Sequence, residues 1–171
     1  VDLLGYGRSD PRPDRWSMCE WAASVAEVAG ALGFDKARVV GGHSGSCVAA
    51  ELAIHFPSLV ASVVLDGCPL LTPQLRATFK AMQQAVRPAP DPSGAHESLV
   101  FRTVRTTYEH YLPGFQVTAD TLETLWPAMI DYLETDFVSS APISAEYDLE
   151  SRILAIRQPL TVLTADTDTL V

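Results

Sequence analysis

Residues 38–53 read RVVGGHSGSCVAAELA. A short apolar run at Val39 and Val40 passes through small residues into an Ala-rich helical pattern. Ser44 stands at the junction. Serine is a poor strand former and a mediocre helix-interior residue, so the junction predicts a tight strand-to-helix turn bent at Ser44. Such a bend holds its central residue in strained backbone geometry, and the residues two positions away must be small. Gly42 and Ser46 meet that demand and, with His43, are read as shaping the turn. The turn is expected to lift the Ser44 hydroxyl clear of the sheet. It also aims the first helical N–H groups, that of Gly45 above all, at the space beside the hydroxyl, where the helix dipole favours an oxyanion.

The flanks extend this reading. Upstream, residues 1–16 are turn-rich, with two glycines, two prolines and three aspartates. Residues 17–33, SMCEWAASVAEVAGALG, predict a helix with a Ser17–Glu20 capping box, an apolar face from Met18 to Leu32, and Gly33 as its stop. ARVVGG (37–42) reads as a buried strand, GSCVAAELAIHF (45–56) as a helix ended by Pro57, and LVASVVLDG (59–67) as a second strand. Helix and strand alternate, which implies an α/β architecture on a largely parallel sheet. From about Pro69 to Tyr147 the pattern is helical, without a convincing strand. Helices are expected over 73–86, 96–112 and 119–137, the last bent or interrupted near Pro127. A short helix at 148–156 and a final strand at 159–166 return to the first pattern. The expected division is therefore 1–68, a helical insertion over 69–147, and 148–171.

Bulk composition narrows the function classes. With 171 residues, 47% hydrophobic and 19% charged, the chain can bury one sizeable core. A formal net charge of -9 disfavours nucleic-acid binding. No apolar run approaches the roughly 18 residues of a membrane span. Cys19, Cys47 and Cys68 lack metal-like spacing and are expected as reduced thiols, so neither a metal nor a cofactor is implied. That thiol usage suggests a cytoplasmic setting.

The stretch GHSGS (42–46) resembles the G-x-S-x-G nucleophile elbow of the α/β-hydrolase family, with Ser46 in place of the last glycine. DLLGYGRSD (2–10), FPSLVASVVLDG (56–67) and RQPLTVLTADTD (157–168) resemble three further segments of that family, and the helical insertion falls where the family carries its cap. The resemblance implies Ser44 as nucleophile, the Gly45 N–H as an oxyanion donor and Asp168 as the triad acid, with Asp166 and Asp66 as the other candidates. Trp126 and Met129 are candidate pocket residues under the cap. The family order of serine, acid, histidine is not completed by His43, His55, His96 or His110, and His43 is expected to be a packed residue. The resemblance thus implies an internal piece of a longer hydrolase whose catalytic histidine and second oxyanion donor lie elsewhere, inactive by itself. It would act on a small or medium apolar ester, amide or lactone through an acyl-enzyme. Carbon–carbon bond hydrolysis, a proline iminopeptidase-like activity and cofactor-free haloperoxidase activity share the same outline. So does a non-catalytic ligand receptor on the same scaffold.

Overall fold

A computed structural model describes residues 1–13, 16–77, 90–111, 114–134, 143 and 145–166. The first helix, α1 (Met18–Ala31), begins where the sequence predicts. The Ser17 N–H donates to the Glu20 carboxylate at 2.6 Å and its hydroxyl does so at 2.9 Å. It ends in a Schellman turn. The Gly33 N–H donates to the Gly30 carbonyl and that of Phe34 to the Ala29 carbonyl, while Gly33 takes φ 77°, which glycine alone adopts without strain.

Strand β1 (Ala37–Gly42), helix α2 (Ser44–His55) and strand β2 (Val60–Asp66) follow, and β1 and β2 pair in parallel. The in-register pairs are Val39 with Val63, Gly41 with Leu65, and Gly42 with Asp66. A parallel pair needs a crossover, and α2 supplies it by packing on both strands and against α1. Helix α2 is apolar nearly all round, which suits an element buried between α1 and the sheet. Its Cys47, Val48, Ala49, Ala50, Leu52 and Ala53 join Met18, Trp21, Val63 and Leu65 in the main core. The Trp21 indole also donates to the Leu4 carbonyl at 3.1 Å and ties residues 1–10 to α1.

The chain then leaves the sheet. Residues 73–77 are helical, and the remainder of the helix expected to 86 lies outside the described residues. Helices α3 (Ala95–Tyr111) and α4 (Ala119–Glu134) pack on one another through Val100, Val104, Leu125 and Met129, a second core separate from the first. Helix α4 runs through Pro127 without interruption, so of the expected bend or interruption the second does not occur. Pro127 lies on the exposed side, where water can take up the carbonyl it leaves unbonded, while Leu125 and Met129 on the opposite face are buried. The short α5 (Leu149–Ile153) is capped by Asp148, which accepts from the Ser151 hydroxyl at 2.6 Å. Strand β3 (Leu160–Leu163) then pairs in parallel with β2, giving the order β1-β2-β3.

The apolar face expected along α1 is only partly covered. Met18, Trp21 and Ala22 are buried, whereas Val28 is 40% and Leu32 67% exposed. Among the described residues nothing covers this end of α1, and it opens onto the free edge of β1. No helix among the described residues is long and apolar enough to cross a membrane.

Candidate active site

The carboxyl ends of the three strands meet at one edge of the sheet, where Gly42 pairs with Asp66 and Asp66 with Leu163. Between Gly42 and α2 the chain reverses in one residue. That residue is His43, with φ 46° and ψ -119°. Among the described residues it is the one non-glycine at positive φ. Ser44 is already the first residue of α2.

The crowding sits at the matching positions. A Cβ built on Gly41 would lie 2.3 Å from the Gly45 carbonyl oxygen and 2.8 Å from the Ala49 Cβ, so the two glycines flanking His43 at two residues' distance touch each other. Gly42, expected to be the crowded glycine, has nothing within 4 Å of a built Cβ. The expectation of a bend centred on Ser44 is therefore corrected by one residue. The physical reason is that in the frame Gly41-Gly42-His43-Ser44-Gly45 the residue two places before the bend lies against the Gly45 carbonyl, where a Cβ on Gly41 would meet backbone, whereas the frame centred on Ser44 puts uncrowded Gly42 there. The sequence GGHSGS holds two overlapping frames, and the approach of Gly41 to the Gly45 carbonyl selects between them.

Ser46 does shape the turn, as expected, though as a tie. It is fully buried, and its hydroxyl lies 2.9 Å from the Gly41 carbonyl and 3.2 Å from that of Asp66, joining the ends of β1 and β2. The His43 N–H donates to the Asp66 carbonyl at 2.9 Å, and the Ser46 N–H to the His43 carbonyl at 2.9 Å. His43 is exposed, not packed as expected, and so is Ser44. The first N–H groups of an α-helix have no partner within it, so those of Ser44 and Gly45 point at the same edge.

Asp66 ends β2 beside the bend and is exposed. Asp166, also exposed, follows the end of β3 at the same edge. Asp168 lies outside the described residues. Trp126 and Met129 line a groove with Phe101 and Arg102 whose walls come from α3 and α4. Trp126 is 54% exposed, while Met129 is held in the core between these two helices.

A second polar cluster, missed from the sequence, lies at the other end of α2. Glu51 is 1% exposed and accepts from Arg152 Nε at 2.6 Å and Nη2 at 2.7 Å, from the Tyr147 hydroxyl, and from the Cys19 thiol at 3.1 Å. Burial alone would raise its carboxyl pKa, but the donors from Arg152, Tyr147 and Cys19 outweigh burial and hold it at about 2. Burial and the Glu51 carboxylate push the Cys19 thiol up to about 11. The ligand atoms of Cys19, Glu51 and His55 lie within 4.8 Å of one another, a spacing that could hold a metal ion. The Arg152 guanidinium already neutralises the carboxylate there and sits 3.3 Å from His55 Nε2, so a second cation would be repelled. Helical spacing places Glu51 on α2 but says nothing of Arg152, which is 101 residues away.

The family model described as alpha/beta hydrolase fold matches residues 1–171. The chain is a member of the α/β-hydrolase family. Among solved structures, a hydrolase from Pseudomonas aeruginosa PA01 superposes with a TM-score of 0.72 at 22% identity, covering 96% of this chain and 59% of that one. The enol-lactonase from Burkholderia xenovorans LB400 gives 0.68 at 16% identity, covering 95% and 60%. A dihydrolipoyllysine-residue acetyltransferase component of the acetoin cleaving system of Cupriavidus necator is 40% identical over 65 residues, 38% of this chain and 17% of that protein. This α/β-hydrolase chain thus spans about three fifths of the similar solved structures and a smaller share of the curated relative. The bend at His43 lies between parallel strand β1 and helix α2, at the carboxyl edge of the sheet.

Proposed function

We propose that the whole protein is a hydrolase of small or medium apolar esters, amides or lactones, working through an acyl intermediate formed at the elbow. The observation that carries this reading is the strained bend between a parallel strand and a helix, with unbonded helical N–H groups beside it. Two adjacent side chains compete to take the acyl group, the Ser44 hydroxyl and the His43 imidazole. The N–H of Gly45 is the first candidate to hold the oxyanion. Asp168 is the candidate acid, with Asp166 and Asp66 behind it. The fold-level likeness to an enol-lactonase agrees with an acyl substrate. The test is turnover of a panel of p-nitrophenyl esters and simple lactones by the protein and by a double variant, His43→Gly with Ser44→Ala. Loss of roughly a hundredfold or more in the double variant is expected. Unchanged turnover would remove the reading.

A second reading is favoured by His43 itself. An imidazole stands where the G-x-S-x-G order has a hydroxyl, which is what a ligand-binding relative without turnover would tolerate. Saturable binding of an apolar lactone by calorimetry, with no product formed, is the outcome that selects it.

A further inference from the structure

We infer that His43, not Ser44, accepts the acyl group, and that the substrates are acyl compounds with a good leaving group: thioesters, aryl esters or enol esters. The inference rests on the acyl-transfer reading above, specifies its reacting atom, and thereby narrows the ester, amide and lactone substrates proposed there to activated acyl compounds. Its basis is the placement of the bend. An elbow presents the residue at its apex, and the apex is identified by three independent features: the positive φ of His43, the contact between Gly41 and Gly45 on either side of it, and the Ser46 hydroxyl locking the carbonyls of Gly41 and Asp66 beneath it. Ser44 lacks the first two of these, since it is helical and its glycine partner Gly42 is uncrowded. The imidazole is exposed at the sheet edge and so within reach of a substrate.

The chemistry balances without a further reagent. A lone pair on one nitrogen of the neutral ring bonds to the carbonyl carbon, and the carbonyl π pair moves onto oxygen, facing the N–H groups of Ser44 and Gly45. Collapse of that oxyanion breaks the bond to the leaving group, which departs as thiolate, phenolate or enolate. The acylated ring releases the proton on its other nitrogen to water. A water molecule then adds to the acyl carbon and passes its proton to the ring's free nitrogen, so the ring is expelled as neutral imidazole and the acid is formed. The substrate class follows from the first partition. Imidazole is itself expelled easily from the tetrahedral adduct, so only a leaving group at least as good departs ahead of it. A simple alkyl ester or an amide returns to starting material.

The probe is p-nitrophenyl acetate, with ethyl acetate as the alkyl ester control. Release of p-nitrophenol is followed for the protein and for His43→Gly, His43→Asn, Ser44→Ala and His96→Gln, and the acylated residue is mapped by mass spectrometry after a rapid quench. Glycine and asparagine both tolerate positive φ, so these variants keep the turn. The expected result is a hydroxylamine-labile acetyl group on His43 in the parent and still on residue 43 in Ser44→Ala, roughly tenfold or greater loss of rate in both His43 variants, little change in His96→Gln, and no turnover of ethyl acetate. Acetyl on the Ser44 oxygen, with the loss confined to Ser44→Ala, would overturn the assignment to His43 and leave the acyl-transfer reading standing. Equal rates in all variants would overturn both.

Discussion

At positive φ a Cβ collides with its own backbone, and a non-glycine residue held there costs about 1–3 kcal/mol. His43 carries that cost at φ 46°. His43→Gly is therefore expected to stabilise the fold by about 1 kcal/mol, less than the full strain because glycine also frees the unfolded chain. Gly41→Ala is expected to act in the opposite sense by roughly 3 kcal/mol or more, since its methyl would lie 2.3 Å from the Gly45 carbonyl oxygen and neither strand nor helix can retreat alone. Urea unfolding of the two variants measures both signs. A Gly41→Ala protein as stable as the parent would mean that the bend is not crowded. The residue scale is also where the sequence was read one place off. Ser44 carries the chemically familiar hydroxyl, but the backbone is indifferent to chemistry and bends where Gly41 can lie against the Gly45 carbonyl.

Between elements, the strongest polar link is Glu51 of α2 with Arg152 of α5. The carboxylate is buried and its charge is matched by a fork of two guanidinium bonds. Arg152→Met removes the guanidinium that matches that buried charge, leaving it only the Tyr147 and Cys19 donors beside His55, and is expected to cost roughly 3 kcal/mol. Arg105→Ala, which opens the exposed Arg105–Glu109 pair on α3, is expected to cost about 0.5 kcal/mol or less. The pH dependence follows from the lowered carboxyl. Its pKa falls from 4.5 to about 2 on folding, so its stabilisation is fully present above the unfolded value and is lost as pH falls from 4.5 through 2. The contribution is on the order of 3 kcal/mol. Unfolding midpoints between pH 6 and pH 2 should therefore drop steeply in the parent and much less in Arg152→Met. Parallel slopes would show that the pair carries no linkage. The element boundaries themselves were legible, as α1 with its capping box and Gly33 stop, β1, α2 and β2 demonstrate. Their local signals, periodicity and turn chemistry, act within one or two helical turns.

For the whole molecule the sheet is the weak point. Val39 and Gly41 face α2 with Val63 and Leu65, so the alternate residues of each strand face the other way. On that second face Val40 is 71% and Leu163 48% exposed, and on β3 Leu160 and Val162 extend beyond α2 at 37% and 47%. Among the described residues β1 and β3 are both edges. Apolar faces beside free edges favour association. The weight-average mass of the chain in sedimentation is expected to rise with concentration, and Val40→Lys with Val162→Lys to reduce that rise. A strictly monomeric parent across the whole range would mean that the bare face is covered in solution.

By itself the sequence determined the α/β alternation, the parallel crossover through α2 and the family, because hydrophobic period, capping residues and glycine stops act over short stretches of chain. The apex of the elbow, the Glu51–Arg152 pair and the uninterrupted course of α4 through Pro127 were decided only in the tertiary structure. Each depends on which atoms meet across the fold: a carbonyl against an absent Cβ, a guanidinium arriving from a hundred residues away, and a buried helix face that outweighs a proline.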